Sequence, residues 1–274
     1  MPHHSFHAGA TEIVPLCDGW TPLPVADECP GRDVEWDRER TAFPWAFAND
    51  AAWAWHVHAF LLRGPMGLVL VDTGIGAMGA AAYPVMGHVD EELAATGTDP
   101  SRIDHVIHTH LHADHAGAAC RLDGTPRFEN ARHHVHPADW EFFGSAEDPE
   151  DSAPRRAMER LLAEDRLSLL SEDHDVAPGL RLVHTPGHTP GHRSVVVTSD
   201  DRSLLITGDL LHLPVQVEHP SWPSSHDEDP AVACSSRERM LARARSQGWS
   251  VAVSHFARVF GAVGSSGWES SAEA

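Results

Sequence analysis

Apolar and polar positions along this chain change over in short runs, and the runs predict strands interspersed with helices. Residues 11–16 predict a first strand, stopped at Asp18-Gly19. Residues 20–50 are rich in Pro, Asp and Trp and show no clear period. They predict a long surface loop anchored by Phe43, Trp45 and Phe47; loops of that length are usually functional or disordered, and the aromatics favour an ordered one. Apolar runs at 56–63 and 68–72 flank Gly64-Pro65-Met66-Gly67 and predict a hairpin. Residues 85–96 predict a helix ended by Gly97, 104–109 a short buried strand, and 132–136 another strand followed by a helix from Pro137. The acidic stretch 144–154 predicts an exposed linker, and 154–170 a helix with leucines set among charges. Three strands follow at 180–184, 194–198 and 203–207. Ser235-Ser236-Arg237-Glu238 reads as a capping box opening a helix that ends near Gly248, with a last strand at 251–253. Residues 1–10 and 262–274 predict loose ends. No repeat and no composition break divides the chain, so residues 1–274 are expected to form one domain of stacked α/β layers.

Charge narrows the partners. All 20 basic residues are arginine, against 40 acidic ones, for a formal charge of −20. That balance argues against nucleic acid and against anionic membranes, which need a positive face. No window is apolar enough for a membrane span. No secretory signal is evident at the start, and Cys17, Cys29, Cys120 and Cys234 are scattered without a CxxC pair. The expectation is a cytoplasmic protein with reduced, mostly buried thiols. Histidine changes the picture: at 22 residues it calls for a search for metal ligands.

The densest chemistry lies in Thr109-His110-Leu111-His112-Ala113-Asp114-His115, immediately after the predicted strand 104–109. In a loop following a strand, His110 and His112 can share one metal while Asp114 and His115 turn towards another. His184, His188 and His192 are spaced four apart, but Pro186 and Pro190 forbid a helix there, so the three cannot be stacked helical ligands. His105, His108, His133, His134 and His136 are expected to be packing or surface residues, and Trp53, Trp55 and Phe60 core, with pocket lining the rival reading.

The segment 110–115 resembles the HxHxDH signature of the metallo-β-lactamase superfamily. Four further motifs match in order: Asp72 in Val71-Asp72-Thr73-Gly74, His188 in Thr185-Pro186-Gly187-His188, Asp209 in Thr207-Gly208-Asp209, and His255 in Ser254-His255-Phe256. The resemblance implies a four-layer αββα sandwich. It implies one metal held by His110, His112 and His188 and a second by Asp114, His115 and His255, with Asp209 bridging. Two divalent ions follow, zinc first, with manganese, iron or cobalt as alternatives, and a metal-bridging hydroxide as nucleophile. Asp114 is expected to act in catalysis as well as in binding, and Asp72 to orient the ligating loop.

Within the superfamily, Asp209 and the lack of a nearby cysteine argue against β-lactam hydrolysis. The charge and the lack of room for an added domain argue against RNA processing, and the full two-metal set against persulfide oxidation. The lone tyrosine, Tyr83, and the absence of lysine weaken a glutathione thioesterase reading. The doubled Thr-Pro-Gly-His segment and Gly208-Asp209-Leu210-Leu211-His212 look most like the quorum-signal lactonase and organophosphate hydrolase branch. That implies hydrolysis of a small-molecule lactone or ester; a thioesterase, a phosphotriesterase or a non-catalytic metal scaffold are the alternatives. Two positions depart from the branch. His212 stands where these lactonases often place tyrosine, and Ala118 where glycine commonly follows Gly117. His212 is expected to donate to, or protonate, the oxygen that develops charge. Phe43 and Trp45 are expected to bind an apolar part of the substrate. A homodimer is left open.

Overall fold

The computed structural model describes residues 4–26, 28–76, 87–145, 154–156 and 158–271. Two twisted sheets face each other. The first joins β1 (Phe6–Ala8), β2 (Thr11–Pro24), β4 (Ala52–Gly64), β5 (Gly67–Val71), β6 (His105–Ile107), β7 (Arg132–Val135) and β8 (Leu167–Leu169) in that order, with β3 (Phe47–Asn49) paired to β4. The second joins β9 (His174–Ala177), β10 (Leu180–His184), β11 (Arg193–Ser199), β12 (Arg202–Ile206), β13 (Ser250–Ala252), β14 (Phe260–Val263) and β15 (Trp268–Ser270). Strands β5 to β8 run parallel, as do β12 and β13.

Both faces of each sheet are covered, which is why the central strands read as continuous apolar runs. Leu180, Leu182, Val195, Val197, Leu204 and Ile206 point inward against Phe60, Leu62, Val69, Val71 and Ile107. The opposite parity of the second sheet, Val183, Val196, Leu205 and Val251, packs outward under Met240, Leu241 and Ala244 of the helix Pro230–Gln247. On the other side Leu16, Leu61, Leu70 and Val106 pack under Val89 and Leu93 of the helix Val89–Ala95. The layering is the αββα order implied by the motifs.

Several boundaries differ from the sequence reading, each for a local reason. Strand β2 does not stop at Asp18-Gly19: a bulge there absorbs the break, and pairing with β4 continues to Pro24↔Ala52. Pro22 and Pro24 are tolerated because β1 covers only the start of β2, leaving the outer side of its second half without a strand partner among the described residues. Residues 20–50 are therefore partly regular, with a helix at Trp36–Ala42, a 3₁₀ turn at Pro44–Ala46 and then β3. The helix foreseen over 154–170 ends early: after Glu159–Ala163, Asp165 takes a left-handed φ of 55° and the next leucines enter β8. The long helix starts at Pro230, where the Asp229 carboxylate accepts from Ala231 N and Val232 N, so Ser235–Glu238 lies inside it. Residues 262–271 are not loose: β14 and β15 close the sheet edge, with the Trp268 ring 5.1 Å from Phe256. Likewise β1 ties residues 6–8 to β2. Tyr83, residues 85 and 86 of the foreseen helix, residues 146–153 of the acidic stretch and the outermost residues of both ends lie outside the described residues.

Candidate metal centre

All five motif segments leave strands of the two sheets at the same end of the sandwich. The first follows β5. Asp72 sits at φ 60°, a conformation rare for a residue with a side chain, and its carboxylate is fully used. One oxygen accepts from Thr109 N at 2.8 Å, the other from Thr109 Oγ1 and from His115 Nδ1, both at 2.8 Å. Thr73 N donates to the His115 carbonyl at 2.7 Å, and Ile75 N to the buried Asp18 carboxylate at 2.6 Å. The path after β5 is thus locked to the path after β6. There His112 is extended, and one helical turn, Ala113–Ala116, then presents Asp114 and His115. Ala118 is fully buried in the core beneath this turn, and the backbone of Gly76 comes close enough over it that a side chain there would collide. The departure from glycine at 118 is accommodated by glycine at 76.

The second sheet supplies the rest. His188 lies on the turn-rich segment between β10 and β11, Asp209 on the 3₁₀ turn after β12, and His255 after β13. His192 is a positioning residue: its Nδ1 donates to Thr185 O at 3.0 Å, and its Nε2 accepts from Asp209 N at 3.0 Å. Gly208, at φ 57°, allows that approach, since a Cβ there would lie 2.7 Å from His192 Nε2. His255 Nδ1 donates to the His56 carbonyl at 2.7 Å.

These elements bring together two groups of side chains that could each hold a metal ion: His110, His112 and His188, and Asp114, His115, Asp209 and His255. In the first, His112 Nδ1 lies 2.9 Å from His110 Nε2 and 3.0 Å from His188 Nε2. In the second, the Asp209 carboxylate lies 3.0 Å from both His115 Nε2 and His255 Nε2, and Asp114 Oδ2 lies 3.2 Å from His115 Nε2. Asp209 also faces the first group, 3.3 Å from His188 Nε2. They open on a cavity of about 470 Å³, lined also by Leu23, Trp55, His212, His226 and Glu228.

The electrostatics fit cations. Burial pushes His110 and His188 well below their usual range, so both keep a lone pair to donate. Burial opposes ionisation of Asp209 and Asp114, yet the surrounding imidazoles hold both carboxyls below their usual range. His115 is likewise opposed by burial, but Asp209, Asp114 and Asp72 raise it well above its ordinary value. Neither arginine nor lysine is among the cavity-lining residues. Asp209 Oδ1 is buried and makes no well-aligned hydrogen bond, although His115 Nε2 lies 3.0 Å from it. Buried imidazole nitrogens that face one another, beside two buried carboxylates, make a donor set that divalent ions would satisfy.

Sequence reasoning missed three groups that act through others. Asp139, in the first turn of the helix Pro137–Ser145, is fully buried and accepts from Gly191 N at 2.6 Å and Thr189 Oγ1 at 2.9 Å. It fixes the segment that carries His188. Asp227 Oδ1 faces His188 Nδ1 at 3.6 Å, and both atoms are otherwise without partners. Asp227 is in turn held by the fully buried Arg237, which also donates to the carbonyls of Leu210, Pro220 and Trp222. The only signal in the sequence was polar residues near motifs, which is too common to single them out.

The expected placement of Phe43 and Trp45 needs correction. Neither lines the cavity. Trp45 packs on Phe256, with ring centroids 5.5 Å apart, and Phe43 packs on Trp45, so the pair anchors its segment to the core behind the site. Of the aromatic residues between 20 and 55, Trp55 lines the cavity, stacked on His255 at 5.4 Å. His212 does line it, with Nε2 3.4 Å from Asp209 Oδ2 and a buried Nδ1 without a partner. His108 pairs with His133, His105 with His134, and His136 stacks on His184, all away from the cavity.

Fold and site together place two adjoining groups of candidate metal ligands at one end of an αββα sandwich. The family model of the metallo-beta-lactamase superfamily matches residues 52–255, and the chain belongs to that superfamily. An N-acyl homoserine lactonase of Bacillus sp is 29% identical over 160 residues, which cover 53% of this chain and 59% of that protein. The match to this relative thus spans less than two thirds of its length. Among solved structures, hydrolase AbOPH of the beta lactamase superfamily superposes with a TM-score of 0.84 at 23% identity, covering 98% of this chain and 97% of that one. AidC, a dizinc quorum-quenching lactonase in complex with the product N-hexnoyl-L-homoserine, gives 0.84 at 21% identity with the same coverage. At such identities the likeness is one of fold. Among the described residues no helix is long and apolar enough to cross a membrane.

Proposed function

We propose that this chain is a dinuclear-metal hydrolase of small-molecule lactones, with N-acyl homoserine lactones the first class to try. The carrying observation is the gathering of His110, His112 and His188 in one group and Asp114, His115, Asp209 and His255 in another, with Asp209 reaching both groups. The name of the Bacillus relative supports the substrate class. Five imidazoles and two carboxylates suit zinc, and the imidazole majority favours it over manganese. Two divalent ions bound there supply a nucleophilic oxygen from water near neutral pH and polarise the scissile carbonyl.

The chain's own residues do the rest. Asp209 faces both groups and would offset the repulsion between two cations held there, and Asp114 lines the cavity, where it could accept a proton from the attacking water. Trp55 and Leu23 offer an apolar wall for an acyl chain or ring. His212 faces the cavity beside Asp209, where an imidazole donor can stabilise or protonate the departing oxygen. None of the four cysteines is paired in a disulfide, which suits a cytoplasmic setting.

Turnover of lactones, aryl esters, thioesters and phosphotriesters by zinc- and manganese-loaded protein tests the reading. Lactones should lead; turnover of none of them would leave a metal-binding scaffold as the better description. His212→Phe should keep both metals while lowering kcat on lactones by roughly 10²-fold. The loss should be smaller on nitrophenyl esters, whose leaving oxygen needs no proton. Equal losses on both, or loss of metal, would remove His212 from this role.

A further inference from the structure

Cys17, His56 and His58 form a second cluster with metal-ligand chemistry, and none of the five motifs includes them. Their ligand atoms lie within 4.8 Å of one another. The placement follows from the ladder between β2 and β4. Cys17 is paired directly with His58, and His56 is two residues along the same strand, so all three share a face. The bulge at Cys17 to Gly19 brings Trp20 opposite His56, and the two rings stack with centroids 5.8 Å apart. His56 in turn stacks on His58 at 5.6 Å.

The ring nitrogens are assigned by their partners. His58 Nδ1 lies 2.9 Å from the Ser254 carbonyl and therefore donates, which leaves Nε2 with its lone pair. His56 Nδ1 faces Cys17 Sγ at 3.9 Å. That is too long for a strong contact, but it is near the separation of two ligands on one ion. Cys17 and His56 are half-buried beside Trp20, which is 53% exposed, so an ion has a route in.

We propose that Cys17, His56 and His58 bind a third metal ion, a thiophilic one such as zinc or copper(I), with a fourth position left to solvent. One thiolate and two imidazoles in a half-buried pocket select soft or borderline ions over magnesium or calcium. Binding displaces the thiol proton, so the raised affinity of Cys17 for that proton, which burial causes, is overcome by the ion's charge. The site does not depend on what the main centre hydrolyses.

Sulfur makes the test selective, because the main centre contains no cysteine. Apo-protein titrated with cobalt(II) should develop a thiolate-to-metal charge-transfer absorption in the near ultraviolet. Elemental analysis after zinc loading should find close to three equivalents per chain. Cys17→Ser should abolish the sulfur band and return the content to two, leaving the main-centre ligand-field bands intact. Zinc or copper(I) should also slow alkylation of Cys17 in the wild-type protein, read by mass spectrometry of the labelled peptide. This needs no variant and stands even where Cys17→Ser folds poorly. The relative protection by zinc and copper(I) shows which ion the site prefers. A cobalt spectrum without a sulfur band, a band that survives Cys17→Ser, or alkylation at the same rate with and without both ions would overturn the proposal.

Discussion

From Asp72 to His115 one stretch of the first sheet delivers four proposed ligands together with the carboxylate that steadies them, whereas His188, Asp209 and His255 arrive singly from three strand ends of the second. The supports differ in kind. In the first half a single carboxylate, Asp72, ties the backbone of Thr109 and the ring of His115 with bonds of 2.8 Å. In the second half each ligand has its own helper: Asp139 for the His188 segment, Asp227 and Arg237 for its ring, His192 for Asp209, and the His56 carbonyl for His255. A contiguous half can be preorganised by one strained residue; a dispersed half needs a distributed network of buried polar groups.

Removing what the halves share should have the largest effect. Asp209→Ala should drop metal content from two to about one at the main centre and abolish most turnover, because the charge reaching both groups is gone. Elemental analysis of Cys17→Ser and of its double variant with Asp209→Ala keeps the count separate from the cluster on β2 and β4; equal content in the two would refute the bridging role. Next come the single supports. Asp72→Asn keeps a residue that tolerates positive φ but loses the charge on His115, and should lower metal affinity by roughly 10–100-fold. Asp227→Asn should cost less, under about tenfold, since its contact with His188 is 3.6 Å against 2.8 Å. Competition with a chelator of known affinity measures both, and the reverse order would break the comparison.

The smallest effect concerns pH. Burial pushes Asp139 up to about 7, although Gly191 N and Thr189 Oγ1 favour its ionised form. An unfolded aspartate titrates near ~3.9. Between those values the folded chain holds a proton that the unfolded chain has released, so this group makes stability fall as pH rises from about 4 to about 7. Asp139→Asn cannot lose that proton. Its deficit in Tm relative to wild type should therefore shrink across this window; a constant deficit would remove Asp139 as a titrating support.

The same contrast decides what could be read from sequence. His110, His112, Asp114 and His115 were legible because they sit within six residues after a strand, and Asp72, His188, Asp209 and His255 because each follows a strand in motif order. Asp139, Asp227 and Arg237 were not, because each works across a contact that only the fold creates. In the elements, central strands such as β10 were plain from their apolar runs. Beyond Asp18 the bulge and the prolines hid the second half of β2, and the leucines of 161–170 mimicked one helix while serving a helix and a strand. Phe43 and Trp45 were placed in the wrong role because an aromatic anchor and an aromatic pocket wall look alike until packing is known.

At this end the two sheets are joined through backbone as well as through side chains. Arg193 N donates to Thr109 O, and His58 N to Ser254 O, so main-chain bonds stitch the first sheet to the second on both sides of the cavity. Drawing the sheets apart there would sever these bonds and divide the seven side chains between two bodies. Opening the cavity by parting the sheets would therefore also expose the hydrophobic interior between them. Among the described residues, the exposed part of the cavity lining is polar, at Ser225, His226 and Glu228, so a molecule entering there meets hydrogen-bonding groups before the buried imidazoles.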